Sequence, residues 1–314
     1  MSQDLDILYL GTTYLDINTH HFPVEESLVL ETETVGGEYV AELGGSSLNS
    51  ARLAAALELK PLFIGKVGND VFGQQVQLLM KQAGVESGLI VSPYHQTNLG
   101  INYSNSEGKT VMTVVGTANQ SLQAEEIMAQ ISQHLPRVKY LYLSGYFKLA
   151  ALRDAYPELI KQAHQAGVKV VVDHGRPNNR TSSSELENLR TILATVDLYL
   201  PSHDEFLTVW ETESLELGLE KVKAVINGKV AVKLGSKGAI GFDETKDNVQ
   251  ADAFAVEIFH TVGAGDSFNT GFIKGLTLKY SFAQALRLGC ATAALKISQP
   301  HLPNLAQVDE LYQS

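Results

Sequence analysis

The sequence predicts an α/β fold, a mostly parallel central sheet covered by helices on both faces and carrying a small β lid. Three observations predict it. From residue 121 onward, helical patterns alternate with short, nearly continuous apolar runs, the mark of parallel strands buried on both faces. Two earlier stretches, about residues 17–43 and 97–115, break that rhythm with short β-like pieces separated by glycine turns. A turn at Gly263-Ala264-Gly265 leads straight into a helical run, an arrangement that presents free backbone N–H groups to an anion.

Taken in order, residues 5–10 read as a buried first strand and Gly11-Thr12-Thr13 as the turn after it. Asp16 follows at the carboxyl end of that strand, where open α/β sheets bind ligands. In the first lid stretch, β-like pieces at 27–32 and 39–43 flank the turn signal Val35-Gly36-Gly37. Gly44 and Gly45 then open a helix over 51–59, for which Ser46 or Ser47 can serve as cap. A buried strand at 62–65 and a loop at Gly68-Asn69-Asp70 lead to a helix over 74–83, whose Val76, Leu79 and Met80 form a core stripe. In the second lid stretch, a Glu107-Gly108 turn between two strand-like runs signals a hairpin. Both stretches read as one β-layer on a single domain spanning residues 1–314.

The alternating half supplies helix 125–134 and strand 140–143, then helix 157–166 and strand 168–172. A helix from Glu185, with a capping box at Ser184…Glu187, precedes strand 198–200. Helix 215–226 precedes strand 230–234, followed by a hairpin over 235–242 and a strand-like run at 254–259. The helix opened by Gly263 reaches about residue 280, and a second capping box, Ser281…Gln284, starts a helix to about residue 297.

Composition bounds the function. The 314 residues are 44% hydrophobic and 19% charged, ordinary for a soluble globular chain. A net charge of −11 argues against a nucleic-acid or anionic-membrane surface. Cys290 is the only cysteine, which excludes an intrachain disulfide and a cysteine-rich zinc site. Nine histidines are scattered without metal-ligand spacing. No apolar run approaches the ~20 residues of a membrane span, and no leader is visible, so the expected location is cytoplasmic.

The most chemical stretch is His260–Thr270. Asp266 falls in the first turn of its helix, where unpaired N–H groups and the helix dipole favour an anion. A carboxylate beside an anion site suits phosphoryl transfer: the N–H groups hold developing charge while Asp266 takes a proton from the attacking hydroxyl. These residues alone fit a tight turn equally well. Phe268 stands where a dinucleotide fingerprint needs its last glycine, and Tyr103 where a P-loop ending at residues 108–110 needs its first.

Several motifs in order now resemble the ribokinase-type (PfkB) carbohydrate kinase family. They are Gly44-Gly45…Asn49, Phe63-Ile64-Gly65-Lys66-Val67-Gly68-Asn69-Asp70…Phe72-Gly73, Val115-Gly116-Thr117-Ala118-Asn119, Leu234-Gly235-Ser236-Lys237-Gly238 and Thr261-Val262-Gly263-Ala264-Gly265-Asp266-Ser267-Phe268. The resemblance covers nearly the whole chain and implies a ribokinase-like fold with ATP-dependent phosphorylation of a sugar or related alcohol. It implies Asp266 as the base, with Gly263, Ala264 and Gly265 as the anion hole. Asp16, Gly44, Gly45 and Asn49 match sugar-binding positions, which suits a carboxylate, an amide and backbone that a sugar can approach. Lys233, Gly235, Ser236 and Gly238 fall on the ATP and Mg2+ side. Glu205 matches an acid that holds Mg2+ indirectly, through water. Arg176, after the strand ending near residue 172, is a candidate phosphate ligand.

Two departures bear on cofactors. Ser202 stands where the family's Asn-x-x-Glu motif has Asn, and His260 stands where many members have an Asp that helps bind a monovalent cation. Histidine is a poor potassium ligand, so strong potassium activation is not expected. His260 itself reads as a strand-end residue facing solvent.

The acceptor is read from what the lid lacks. Residues 12–43 hold six glutamates and no lysine or arginine, and residues 97–119 hold only Lys109. A charged acceptor needs a cation to pair with it, so a neutral sugar, fructose- or ribose-like, is expected. The alternatives are a nucleoside kinase on the same fold and a non-catalytic, sugar-responsive binding or regulatory protein. Apolar lid positions such as Val29, Val40 and Val114 suit a homodimer formed through the lid.

Overall fold

Alternation of side chains along the central strands dictates the layering. In the first strand Ile7 and Tyr9 enter one hydrophobic core while Leu8 and Leu10 enter another. Strand 140–144 repeats this, with Tyr140 and Tyr142 against Leu141 and Leu143. A strand apolar on both faces needs helices above and below it. The computed structural model describes residues 3–22, 35–105 and 110–314.

The first part of the chain forms β1 (Ile7–Leu10), β2 (Tyr14–His20), β3 (Glu38–Gly44), α1 (Ser46–Ala56), β4 (Pro61–Ile64), β5 (Lys66–Gly68), α2 (Val71–Gln82), β6 (Glu86–Ser87), β7 (Ile90–Ser92), β8 (Leu99–Ser104) and β9 (Thr110–Val115). The second part begins with α3 (Ala124–His134), β10 (Tyr140–Ser144), α4 (Tyr156–Gln165), β11 (Lys169–Asp173), α5 (Ser183–Leu193), β12 (Leu198–Tyr199), α6 (His203–Trp210) and α7 (Leu215–Lys223). It ends with β13 (Lys229–Lys233), β14 (Ala239–Phe242), β15 (Val249–Ala251), α8 (Ala264–Thr277), α9 (Phe282–Ser298) and α10 (Leu305–Gln313).

Nine strands make the main sheet, in the order β15-β14-β13-β12-β11-β10-β1-β4-β6. From β13 through β6 every neighbouring pair is parallel, and at one edge β14 alone is reversed, pairing antiparallel with both β13 and β15. The chain moves from β1 to β4 on one side and later to β10 on the other. The carboxyl ends of β1 and β10 therefore flank the switch point where such sheets bind ligands. One face carries α3, α4, α5, α6 and α7, and the other carries α1, α2, α8 and α9. Helix α8 is buried continuously from Ser267 to Gly275, with the sheet, α1 and α9 around it. The second sheet has the order β3-β2-β8-β9, drawn from the two stretches predicted to form the lid. The predicted strand at 27–32 and the Glu107-Gly108 turn lie outside the described residues.

Several boundaries differ from the sequence reading. Helix α1 starts at Ser46 and is capped by Gly45, whose φ of 99° no other residue adopts easily, so neither serine is the cap. Helix α5 is capped by Ser182 with Glu185, two residues before the predicted box, because Ser182 already has the extended backbone a cap requires. The strand-like run at 254–259 is not a strand. Pairing of β15 with β14 ends at Ala239–Ala251, where the partner strand turns away, and residues 252–258 continue without regular structure. Asp16, after β1 as read, lies within β2, a strand the sequence reading did not predict.

Leu143 is fully buried in β10 between layers. Leu143→Ala is expected to cost about 2–5 kcal/mol through lost transfer energy and a cavity. Urea unfolding followed by the fluorescence of Trp210, the only tryptophan and itself 4% exposed, measures this directly.

Candidate active site

Five parallel strands deliver residues to one cavity of about 790 Å³. Thr12 follows β1, Ser144 and Gly145 end and follow β10, and Asp173 ends β11. Ser202 follows β12 and Lys233 ends β13. The amino-terminal turn of α8, with Ala264, Gly265 and Asp266, faces the same space. The helix therefore points its first turn and the positive end of its dipole into the cavity, with the Ala264 N–H donating to Thr261 O at 3.4 Å.

Below this turn lies a buried polar network. Lys233 Nζ donates to Asp173 Oδ2 at 3.0 Å and to Asn269 Oδ1 at 3.2 Å. Asn269 Nδ2 donates to Asp173 Oδ2 at 2.5 Å and to the Tyr142 hydroxyl at 2.8 Å. Burial works against a charge on Asp173, but the Lys233 ammonium prevails and holds its carboxyl below the usual range. His174 next to it is buried, which pushes its pKa down, with its ring nitrogens engaged by Gly175 O and the Tyr199 hydroxyl.

Asp266 has the opposite electrostatics. Desolvation pushes its pKa up to about 7, Asp173 adds to the rise, and Ser46, Lys233 and Asn49 oppose it. The Ser46 hydroxyl donates to Asp266 Oδ1. Ser46 and Asn49 are three apart on α1, so both reach Asp266 from one helix face. Asp266 is thus in contact with α1, which begins directly after Gly44 and Gly45.

Asp16 forms the other carboxylate of the region. A Cβ on Gly44 would come within 2.0 Å of its carboxylate, and one on Gly100 within 2.3 Å. These glycines are required because β2 carries Asp16 between β3 and β8. Burial and the neighbouring Glu42 push Asp16 up to about 6, against the pull of Lys148 and Arg52. Its Oδ1 is buried and has no partner among the described residues.

The chain matches the pfkB family of carbohydrate kinases over residues 11–306. The protein belongs to the PfkB family. The 5-dehydro-2-deoxygluconokinase of Shouchella clausii (strain KSM-K16) is 27% identical over 327 residues, covering 99% of this chain and 96% of its own. The ribokinase of Arabidopsis thaliana, solved with ribose and ATP, shares the fold at a TM-score of 0.81 and 22% identity, covering 99% of both chains. An E. coli ribokinase II structure holding ATP and Mg2+ aligns at a TM-score of 0.82 and 20% identity, over 98% of this chain and 99% of that one. The PfkB protein is accordingly a ribokinase-like phosphotransferase that acts on a sugar hydroxyl.

Within this kinase the cavity brings together Ala264, Gly265, Asp266, Glu205, Lys233, Gly235, Ser236, Gly238 and Arg176. Gly263 is the cap of α8, at φ 80°. Asp16, Gly44, Gly45 and Asn49 do not line that cavity. Asp16 and Gly44 sit on the second sheet, Gly45 caps α1 and Asn49 lies on it, and α1 meets Asp266 through Ser46 and Asn49. Glu205 lines the cavity and also completes a capping box, its Oε2 accepting from Ser202 N at 2.9 Å. Ser202 in turn caps α6, which explains a serine there on local grounds.

His260 departs from the sequence reading. Its ring is half-buried, with Nε2 3.0 Å from Lys296 Nζ, instead of facing solvent. Without a strand at 254–259 there is no strand end for it to occupy, and Phe259 N and His260 N bond to Ile297 O at the end of α9. Sequence reasoning also missed Ser46, Lys148 and Asn269 as site residues. Asn269 left a signal, an amide three positions after Asp266 and so on the same side of the helix. Ser46 left none, because a Ser-Ser pair at a helix start looks like a cap.

Ser46→Ala removes a donor that favours the ionised carboxylate. Asp266 is then expected to titrate above about 7, the value in the native chain, as followed by carbon-13 NMR of its carboxyl. Titration at or below that value would contradict the role of Ser46.

Proposed function

We propose that the protein transfers the γ-phosphate of ATP to a hydroxyl of a small sugar, with Asp266 as general base. The observation that carries this reading is Asp266 itself, at the mouth of the α8 anion site, bonded through α1 to the acceptor side, with Lys233 beside the same turn and Glu205 lining the same cavity. A carboxylate with a pKa near 7 is matched to accepting a proton at neutral pH. It takes the acceptor's proton as the oxygen attacks the phosphorus, and the N–H groups of residues 263–266 receive the charge spreading over the phosphoryl oxygens. Lys233 adds a fixed positive charge beneath the same turn.

Acceptor hydroxyls are read by Asp16 and Asn49, with Gly44 and Gly45 letting the sugar approach backbone. The unpartnered Oδ1 of Asp16 is the group that supports this reading. On the other side, the apolar wall at Ala253, Phe254, Val256, Ala294 and Ile297 suits a base, and Gly235, Ser236, Gly238 and Arg176 border the phosphates. Mg2+, when bound, neutralises charge between ATP oxygens. Glu205 suits it, because Mg2+ keeps its waters and needs few protein ligands, and Glu205 Oε1 has no partner among the described residues.

For the acceptor, the acidic lid supports a neutral sugar. A second reading, a sugar acid, is favoured by Lys148, which reaches the cavity from the loop after β10 and draws on Asp16. The name of the Shouchella relative refers to such an acid. A panel of fructose, ribose, 5-dehydro-2-deoxygluconate and nucleosides, read by ADP release, separates the sugar, sugar-acid and nucleoside readings. Saturable binding without product would instead support the non-catalytic alternative. The second sheet closes over the acceptor as a lid, and its exposed Tyr39, Val40, Met112 and Val114 suit pairing with a second copy. A monomeric mass by light scattering at micromolar concentration would overturn that pairing.

Asp266→Asn is expected to lower kcat by about 10²–10⁴-fold while the fold is kept. Normal turnover by the folded variant would remove Asp266 from the mechanism. Because the base works ionised, kcat/KM should fall as pH drops through about 7, where Asp266 gains its proton. A profile flat from pH 5 to 8 would speak against it.

A further inference from the structure

We propose that Lys296 is a built-in cation of the phosphoryl-transfer site, lending its charge to the anion-binding end of α8 in place of a bound monovalent metal. This rests on the kinase reading above. Lys296 lies in the last turn of α9, and its Nζ is 3.0 Å from His260 Nε2. The two are held together by backbone, since Phe259 N and His260 N donate to Ile297 O at 2.8 and 3.1 Å. The lysine stem runs past the cap of α8, with Cε 3.5 Å from where a Cβ on Gly263 would sit.

The chemistry of the pair is one-directional. An ammonium only donates, so His260 Nε2 accepts and the imidazole is neutral with its proton on Nδ1. Burial and the Lys296 charge both push the His260 pKa down, which keeps it in that form. The charged groups around Lys296 are Glu42 on β3, Arg52 on α1 and Asp266 on α8, and burial favours loss of its proton while Glu42 and Asp266 favour its keeping it. Among the described residues no carboxylate lies within ion-pair distance of Lys296. Glu42 is engaged by Arg52 at 3.4 Å and by Asn18 at 2.7 Å.

A half-buried ammonium bonded, among the described residues, only to a neutral ring is costly, and such a charge is best explained by a negative group brought near it across the turn of α8 in the working state. The group available is the phosphoryl at the end of α8. The same ammonium repels a second cation, and the neutral ring has already used its lone pair, so the pair both supplies positive charge and closes the position to metal. Lys296 acts here as a positioning and electrostatic residue, not one that touches substrate.

The test compares the full-length protein with Lys296→Met in sodium, potassium, ammonium and tetramethylammonium chloride. The wild type should keep the same kcat in all four salts. Lys296→Met should lose about tenfold or more in kcat in tetramethylammonium, the scale of removing one charge-stabilising group, and recover when ammonium or potassium is supplied. Thermal melting gives a readout that needs no turnover: potassium should raise the Tm of Lys296→Met relative to sodium and leave the wild type unmoved. Potassium activation of the wild type, full activity of the variant in tetramethylammonium, or a loss that no cation restores in a folded variant would each overturn the proposal. If no acceptor supports turnover by the wild type, the kinase reading fails, while the melting comparison still decides whether Lys296 stands in for a cation.

Discussion

The ion pair between Lys233 and Asp173, closed by Asn269, is the constraint on which the active-site region depends. It joins the ends of β13 and β11 to the middle of α8, and through the Tyr142 hydroxyl it reaches β10. The two charged side chains are only 11% and 6% exposed, so desolvation costs much of what their attraction contributes. What the network supplies is direction. An apolar contact would let α8 slide along the sheet, whereas three mutually satisfied polar groups fix its depth and rotation. The first turn of α8, and with it Asp266, inherits that position.

A division of charge follows from this placement. Asp173 is kept ionised by its lysine, and its negative charge contributes to raising Asp266, which has no ion-pair partner among the described residues. Two carboxylates near each other thus differ in proton affinity because one has a cation and the other has only hydroxyl and amide donors. Asp16 follows the same rule, raised by burial and by Glu42 and relieved by Lys148 and Arg52. The region holds two carboxylates poised near neutrality, both raised chiefly by burial.

Much of the fold was legible because its signals are local. Continuous apolar runs in β1, β10 and β11 can only be strands covered on both sides, and the capping box at Ser281 repeats in the structure as read. The cluster at Ala264, Gly265 and Asp266 was legible for the same reason, since a helix start advertises its own anion site. The strand at 254–259 was misread because apolar alternation does not say whether a partner strand remains to be paired. Ser46 was misread because capping depends on the backbone of Gly45, where a φ of 99° and the closeness of Thr12 O leave room for glycine alone.

By itself the sequence determined the layered α/β architecture, the family and the residues at the amino terminus of α8, because periodicity and short motifs are properties of neighbouring residues. Tertiary structure alone decided which groups meet Asp266. Ser46 is 220 positions away in the chain and Lys233 arrives from another strand. It also decided that His260 faces a lysine instead of water. Proton affinity and charge pairing depend on distance through space and on desolvation, and neither is encoded in the order of residues along the chain.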